Sequence, residues 1–228
     1  AYLYDFDYQQ DEVAPRAYLN FEGVASCFYV WLNGKFVGYS QVAHSTSEFD
    51  VTALLQNGSN HLAVLVLKWC DGSYMEDQDM FRMNGIFRDV YLLCRPEQHI
   101  QDYFTTTGIL PDRADIRVRL RYRDLAVATR ITIYDAAGTL IGTAAPAANP
   151  DDEAFPYCAV IPVPAPVLWN AEQPYLYTLV LETACETITD RVGIREVHVA
   201  DNQIFVNGYS IKIHGINRHE SDPVTGYT

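Results

Sequence analysis

The chain has 228 residues, room for one large or two ordinary domains with a sizeable core. Lys+Arg 16 against Asp+Glu 29 leaves a net charge of −13, which argues against a nucleic-acid partner, because such affinity comes from neutralising phosphates. No run approaches the ~18–20 apolar residues of a membrane span, so no membrane partner is expected either. The 16 tyrosines and 10 phenylalanines favour a β-rich protein, and aromatics with carboxylates suit a neutral ligand such as a sugar. Cysteines 27, 70, 94, 158 and 185 are odd in number and have no CxxC spacing. They predict mostly buried free thiols rather than a disulfide framework or a zinc site, and hence a reducing, cytoplasmic setting. No signal peptide is visible, although the chain starts without a methionine.

Residues 17–94 read as short strands with turn chemistry between them. SCFYVWL and KFVGYS are joined by Asn33-Gly34, the strongest two-residue hairpin signal. A short connection begins at Glu48–Thr52, and Asn57-Gly58 turns the chain into HLAVLVL. That run is apolar on both faces, which predicts a central strand under cover. Short strands at this spacing indicate a sandwich, with no helix expected.

Arg95-Pro96-Glu97 breaks the pattern and is read as a domain boundary, giving a first domain over 1–97. Asp115–Arg123 then alternates: Ile116, Val118, Leu120 and Tyr122 face one way, and Arg117, Arg119, Arg121 and Arg123 the other. Such a row is read as the wet face of a half-buried strand rather than a binding surface. Thr129–Tyr134 is a second strand that ends in a turn at Asp135–Gly138, and AAPAANPDDE is a flexible loop by composition. Pro162, Pro164 and Pro166 confine their stretch to an edge or a connector, since proline cannot donate to a ladder. Tyr175–Glu182 and Arg191–Val199 complete an immunoglobulin-like sandwich over 98–199, without the cysteine–tryptophan–cysteine pattern of antibody domains. At 200–228 something new begins: QIFV and YSIKIHG flank Asn207-Gly208 as a hairpin that leads into GINRHESDP.

The longest irregular stretch is KWCDGSYMEDQDMFRMNGIFRDV, from Lys68 to Val90. Ordered connections of that length tend to be functional. Asp71, Gly72 and Ser73 make a turn, Glu76, Asp77 and Asp79 follow as a carboxylate cluster, and Arg82 and Arg88 supply countercharge. No EF-hand spacing can be laid over it. On its own the cluster reads as a solvated acidic loop.

Three segments carry a resemblance. DGSYMEDQDMFRMNGIFRDV is similar to a segment of the large β-galactosidases of glycoside hydrolase family 2. GVASCFYVWLNGKFVGYSQ with SEFDVT resembles that family's N-terminal jelly roll, and IKIHGINRHESDPVTGY its entry into a catalytic barrel. The resemblance implies an all-β chain: a jelly-roll sandwich lacking its first strands, an immunoglobulin-like β-sandwich, and the first strands leading to a (β/α)₈ barrel not in the chain. It also implies the non-catalytic front of a retaining glycosidase acting on β-galactosides such as lactose. The two catalytic glutamates, about 5–5.5 Å apart in retaining enzymes, would lie in motifs this chain does not reach, leaving it inactive by itself. Asp71 and Glu76, on one loop, make a poor substitute pair.

Two positions match the family's functional residues. Asp71 matches an aspartate that holds a monovalent cation, Na⁺ or K⁺, and contacts the sugar hydroxyls; carboxylate oxygen suits both. His219, in NRHE, matches a histidine at the end of the first barrel strand that bonds the sugar during reaction; alone, Arg218, His219 and Glu220 would be an ion-paired turn. His214 is read as structural. Mg²⁺ ligands of the family fall outside the chain, and no ion is expected to bind this chain tightly. The implied partners are a galactoside, the barrel and C-terminal domains of the same polypeptide, and further copies in a homo-oligomer. The alternatives are a glucuronide- or mannoside-specific relative, against which DGSYMEDQD argues, and a stand-alone carbohydrate-binding or adhesion module presenting Trp31, Tyr74 or Phe81.

Overall fold

The computed structural model describes residues 1–75, 83–219, 221–224 and 226–227. They form two compact units, Ala1–Glu97 with Ile216–Thr228, and Gln98–Gly215. Nearly all regular structure is antiparallel strand.

The first unit contains β1 (Tyr2–Tyr8), β2 (Arg16–Phe21), β3 (Cys27–Leu32), β4 (Lys35–Ser40), β5 (Ser47–Asp50), β6 (Gly58–Leu67), a one-turn helix α1 (Gly72–Met75) and β7 (Val90–Arg95). One sheet has the order β1-β6-β3-β4, the other β5-β2-β7. Alternate residues of facing strands meet between them: Leu19 and Phe21 from β2, Phe28, Val30 and Leu32 from β3, Val64 from β6. Phe21 and Phe28 lie 4.9 Å apart, with Phe49 edge-on to both at 6.1 Å. Gly38 makes room for Phe49, because a Cβ there would come within 2.4 Å of its ring.

The first hairpin forms as its dipeptide predicts, with φ of 52° at Asn33 and 75° at Gly34. Asn33 also does something the hairpin signal does not reveal. Its amide donates to Leu54 O and Asn60 Oδ1 and accepts from His61 N–H. Asn60, wholly buried, donates to Gln56 O and Gly58 O and accepts from Gln56 N–H. Every polar group in this knot is paired, so it ties the 51–60 connection to the hairpin without a burial cost.

Some expectations change here. β6 is central in its sheet, but Leu65 and Leu67 are each 39% exposed. The strand covered on both faces is β2, where Tyr18 and Asn20 are buried opposite Ala17, Leu19 and Phe21. Apolar residues on both faces permit cover without creating it, whereas Asn20 hides its amide by donating to Tyr18 O at 3.2 Å. Residues 47–50 are strand β5 rather than the start of a connection, and α1 is a helical turn where none was expected.

The second unit contains β8 (Ile100–Ile109), β9 (Arg113–Tyr122), β10 (Arg130–Tyr134), β11 (Leu140–Ala144), β12 (Ala147–Ala148), β13 (Tyr157–Pro164), β14 (Tyr177–Glu182), β15 (Thr187–Val192), β16 (Val197–Ala200), β17 (Gln203–Val206) and β18 (Tyr209–Ile211). Sheets β11-β10-β14-β15 and β12-β13-β9-β8 enclose an aliphatic core, with β16-β17-β18 as a separate small sheet. Ile116, Val118 and Leu120 are fully buried, as the alternation predicts. The arginine face pairs locally: Arg119 bonds Asp152 at 2.9 Å between the rings of Phe104 and Phe155, and Arg121 lies 3.6 Å from Asp102. β12 pairs only with Tyr157 and Cys158, so Pro162 and Pro164 sit where that side of β13 is open.

The expected strand over 191–199 is instead split between two sheets. Gly193 packs against Trp169, where a Cβ would fall 2.9 Å from the ring, and Trp169 N–H donates to Ile194 O, so this stretch is held to tryptophan rather than to a ladder. The 144–153 segment is not a bare loop. Asp152 caps Phe155 N–H, and Asn149 N–H donates to Pro156 O. Asn207 and Gly208 turn β17 into β18 with φ of 52° and 79°, but 212–219 holds no strand and His214 is exposed rather than structural. All five cysteines are free; Cys27 is buried, whereas Cys94 and Cys185 are exposed, contrary to the expected burial of most.

Candidate functional site

The stretch after β6 is clamped by the segment just before β3. Its returning arm is stitched to residues 22–25: Ala25 N–H donates to Gly85 O, Phe87 N–H to Gly23 O and Glu22 N–H to Asp89 O. Gly23 and Gly85 permit this close approach. A Cβ on Gly23 would come within 2.7 Å of the Phe87 ring, while Gly85 has a φ of 92° and lies against Tyr2 Oη. Arg88 stacks over Phe87, which also lies against His44.

The outgoing arm is held from below. Ser26, at a φ of 64°, donates from Oγ to Lys68 O at 2.6 Å, and Ser73 Oγ reaches Ser26 Oγ at 3.3 Å. Ser73 Oγ also accepts from Cys70 N–H, and Ser73 N–H donates back to Cys70 O. These bonds close one turn around Asp71, whose Oδ1 accepts Gly72 N–H at 2.9 Å. Asp71 itself is exposed, while Ser26 and Ser73 are buried. The arrangement therefore presents a carboxylate on a fixed backbone, with lone pairs available to a sugar hydroxyl or a hard cation. Among the described residues no group of three or more His, Cys, Asp or Glu side chains could hold a metal. Asp71 thus offers one oxygen ligand of the right kind, and a complete shell would need donors from elsewhere.

His219 falls in the irregular 212–219 segment and is exposed. It belongs to the same unit as Asp71, because Ile216–Thr228 groups with Ala1–Glu97. Glu76, Asp77, Asp79, Arg82 and Glu220 lie outside the described residues. The sequence placed Ser73 in the turn at Asp71 but did not single out Ser26, the side chain that Ser73 reaches. An Asp-Gly-Ser run signals turn chemistry, but Ser26 lies 47 residues from Ser73, beyond any local motif.

Two antiparallel sandwiches in one chain, the first bearing a carboxylate on a clamped loop, define an all-β sandwich protein. Residues 1–96 match the family described as glycosyl hydrolases family 2, sugar binding domain, and residues 98–195 match glycosyl hydrolases family 2. The chain belongs to glycoside hydrolase family 2. It is 48% identical over 214 residues to a β-galactosidase of Actinobacillus pleuropneumoniae, covering 93% of this chain and 20% of that protein. With a β-galactosidase of Staphylococcus xylosus identity is 43%, over 98% of this chain and 21% of the relative. The chain thus spans about a fifth of the length of these relatives. Among solved structures, a β-glucuronidase of an uncultured Clostridium sp. superposes with a TM-score of 0.80 at 23% identity, over 98% of this chain and 40% of that one. A Lactobacillus rhamnosus β-glucuronidase gives 0.81 at 22%, over 99% and 40%. These structural likenesses establish the fold. No helix among the described residues is long and apolar enough to cross a membrane.

Proposed function

We propose that the chain is the non-catalytic N-terminal part of a retaining β-galactosidase acting on terminal β-D-galactosides such as lactose, and that the loop over 71–79 contributes to its active site. The observation that carries this reading is the exposed, backbone-fixed Asp71 in a chain 43–48% identical to proteins named β-galactosidase. The glucuronidase alternative has weaker support, since likeness at 22–23% identity bears on fold alone. Asp71 would supply one oxygen to Na⁺ or K⁺, with Mg²⁺ held by residues elsewhere in the polypeptide. The partners would be the galactoside, the barrel and C-terminal domains of the same protein, and other copies in a cytoplasmic homo-oligomer.

Two assays test it. The 228-residue chain should not hydrolyse an aryl β-galactoside, whereas the whole protein should do so with retention; turnover that stays with the pure chain through repeated purification overturns the reading. In the whole protein His219→Ala should lower kcat more than it raises KM, because a fixed N–H donor that fits the flattened sugar favours the transition state. One well-aimed donor typically contributes ~2.7–4 kcal/mol, or roughly 10²–10³ in rate, and water refilling the space should make the loss here somewhat smaller. A rise in KM alone would reduce His219 to a ground-state contact.

A further inference from the structure

One short stretch of chain grips both arms of the loop that carries Asp71. Val24 makes a single β-bridge to Ile86, and Ala25 N–H donates to Gly85 O, both on the returning arm. Cys27, two residues on, is already in ladder register with Leu67 at the foot of the outgoing arm. Between them the backbone turns at Ser26, in the left-handed region at a φ of 64°. A residue with a Cβ adopts that region at a cost, and such strain persists only where the surroundings over-determine it. Glycine would take the same turn freely. What serine has and glycine lacks is a hydroxyl, and here it is fully engaged. It donates to Lys68 O at 2.6 Å and accepts from Ser73 Oγ at 3.3 Å, so it holds the chain both before and after Asp71. Ser73 Oγ in turn accepts from Cys70 N–H at 3.1 Å and lies 3.6 Å from Cys70 Sγ. Both serines are buried.

We infer that Ser26 is a positioning residue for Asp71: its strained turn delivers a hydroxyl to the buried underside of the loop, and that hydroxyl fixes where the carboxylate stands. The inference rests on the reading of Asp71 as a galactoside contact. Without the hydroxyl, Lys68 O loses this donor and Ser73 Oγ this acceptor, and the turn between them is less tightly held. The sugar must then order the Asp71 backbone as it binds, a cost that folding otherwise meets in advance. Such a loss weakens ground state and transition state alike, so it falls on KM rather than on kcat.

The decisive substitution is Ser26→Gly, which removes the hydroxyl and relieves the turn together. In the 228-residue chain the urea midpoint should stay near wild type. The amides of Cys70, Ser73 and Tyr74, which close the turn around Asp71, should exchange roughly two- to tenfold faster, while those of Ala25 and Phe87 on the returning arm keep their rates. In the whole protein Ser26→Gly should raise KM for an aryl β-galactoside by roughly two- to tenfold with kcat little changed. On an Asp71→Asn background it should add nothing to KM, because it acts through that carboxylate. Unchanged exchange at Cys70, Ser73 and Tyr74 overturns the inference, and so does full additivity with Asp71→Asn. A lowered midpoint with exchange raised throughout the first unit overturns it too, since the hydroxyl would then serve folding at large. If Asp71→Asn raises KM and Ser26→Gly does not, the inference fails while the reading of Asp71 stands. A wild-type KM in Asp71→Asn alone removes that reading and the inference with it.

Discussion

The second unit closes an aliphatic core and pairs its charges across its own strands, whereas the first carries its exposed candidate carboxylate on a long connection propped by buried serines and a thiol. Regular alternation is enough to build the former. The latter exists only because distant small side chains hold the backbone where the ladder ends. Sheets supply the platform, and the candidate carboxylate sits where the chain leaves them.

That contrast can be pressed hardest in the second unit's interior. Leu179→Ala, at a fully buried site, should cost ~2–5 kcal/mol by urea unfolding, while Val160→Ala on the exposed face of β13 should stay within about 0.5 kcal/mol. Equal losses would mean that the buried row does not decide stability. In the first unit the corresponding weak point is polar. Asn60→Ala removes the hub of the 51–60 knot and should cost about 1–3 kcal/mol for each buried group left unpaired, with faster amide exchange at His61. A neutral outcome would show that water replaces the hub. Gly85→Ala comes next: at a φ of 92° a Cβ should cost about 1–2 kcal/mol and loosen the returning arm, read as faster exchange at Ala25 and Phe87.

The smallest effect expected is a pH dependence. Burial and then the bond to Asp190 push Tyr103 up to about 12, above its ordinary 10.0. Between those values the unfolded chain releases a phenolic proton that the folded chain keeps, so this contribution is intact below about pH 10 and fades as pH rises towards 12. Tyr103→Phe should flatten that part of the alkaline decline in the urea midpoint. An unchanged slope would assign the decline to other groups.

The second unit was largely legible because its signals are local. The alternation in β9 and the Asn207-Gly208 turn each act within a few residues, and proline spacing gave the open side of β13. Reading failed where a distant partner decides. Trp169 takes hold of Gly193–Ile194 and splits an apparent strand, and β6 looked covered because composition cannot say whether anything lies over Leu65 and Leu67. At the candidate site Asp71 came from resemblance. Its support Ser26 is more than 40 residues away and left no periodic trace.

The central claim is that the first unit reaches into a galactoside site through Asp71 while the second unit does not. Its most direct test is cation titration of the whole protein carrying Asp71→Asn, beside Asp115→Asn on the second unit's β9, where the carboxylate meets Arg113 at 2.9 Å. The amide keeps the shape and removes the charge. Asp71→Asn should weaken activation by Na⁺ or K⁺ and raise KM for the galactoside, with the unfolding midpoint unchanged, while Asp115→Asn moves neither kinetic quantity. An Asp71→Asn protein with wild-type cation dependence and wild-type KM would contradict the account and leave the loop as solvated charge.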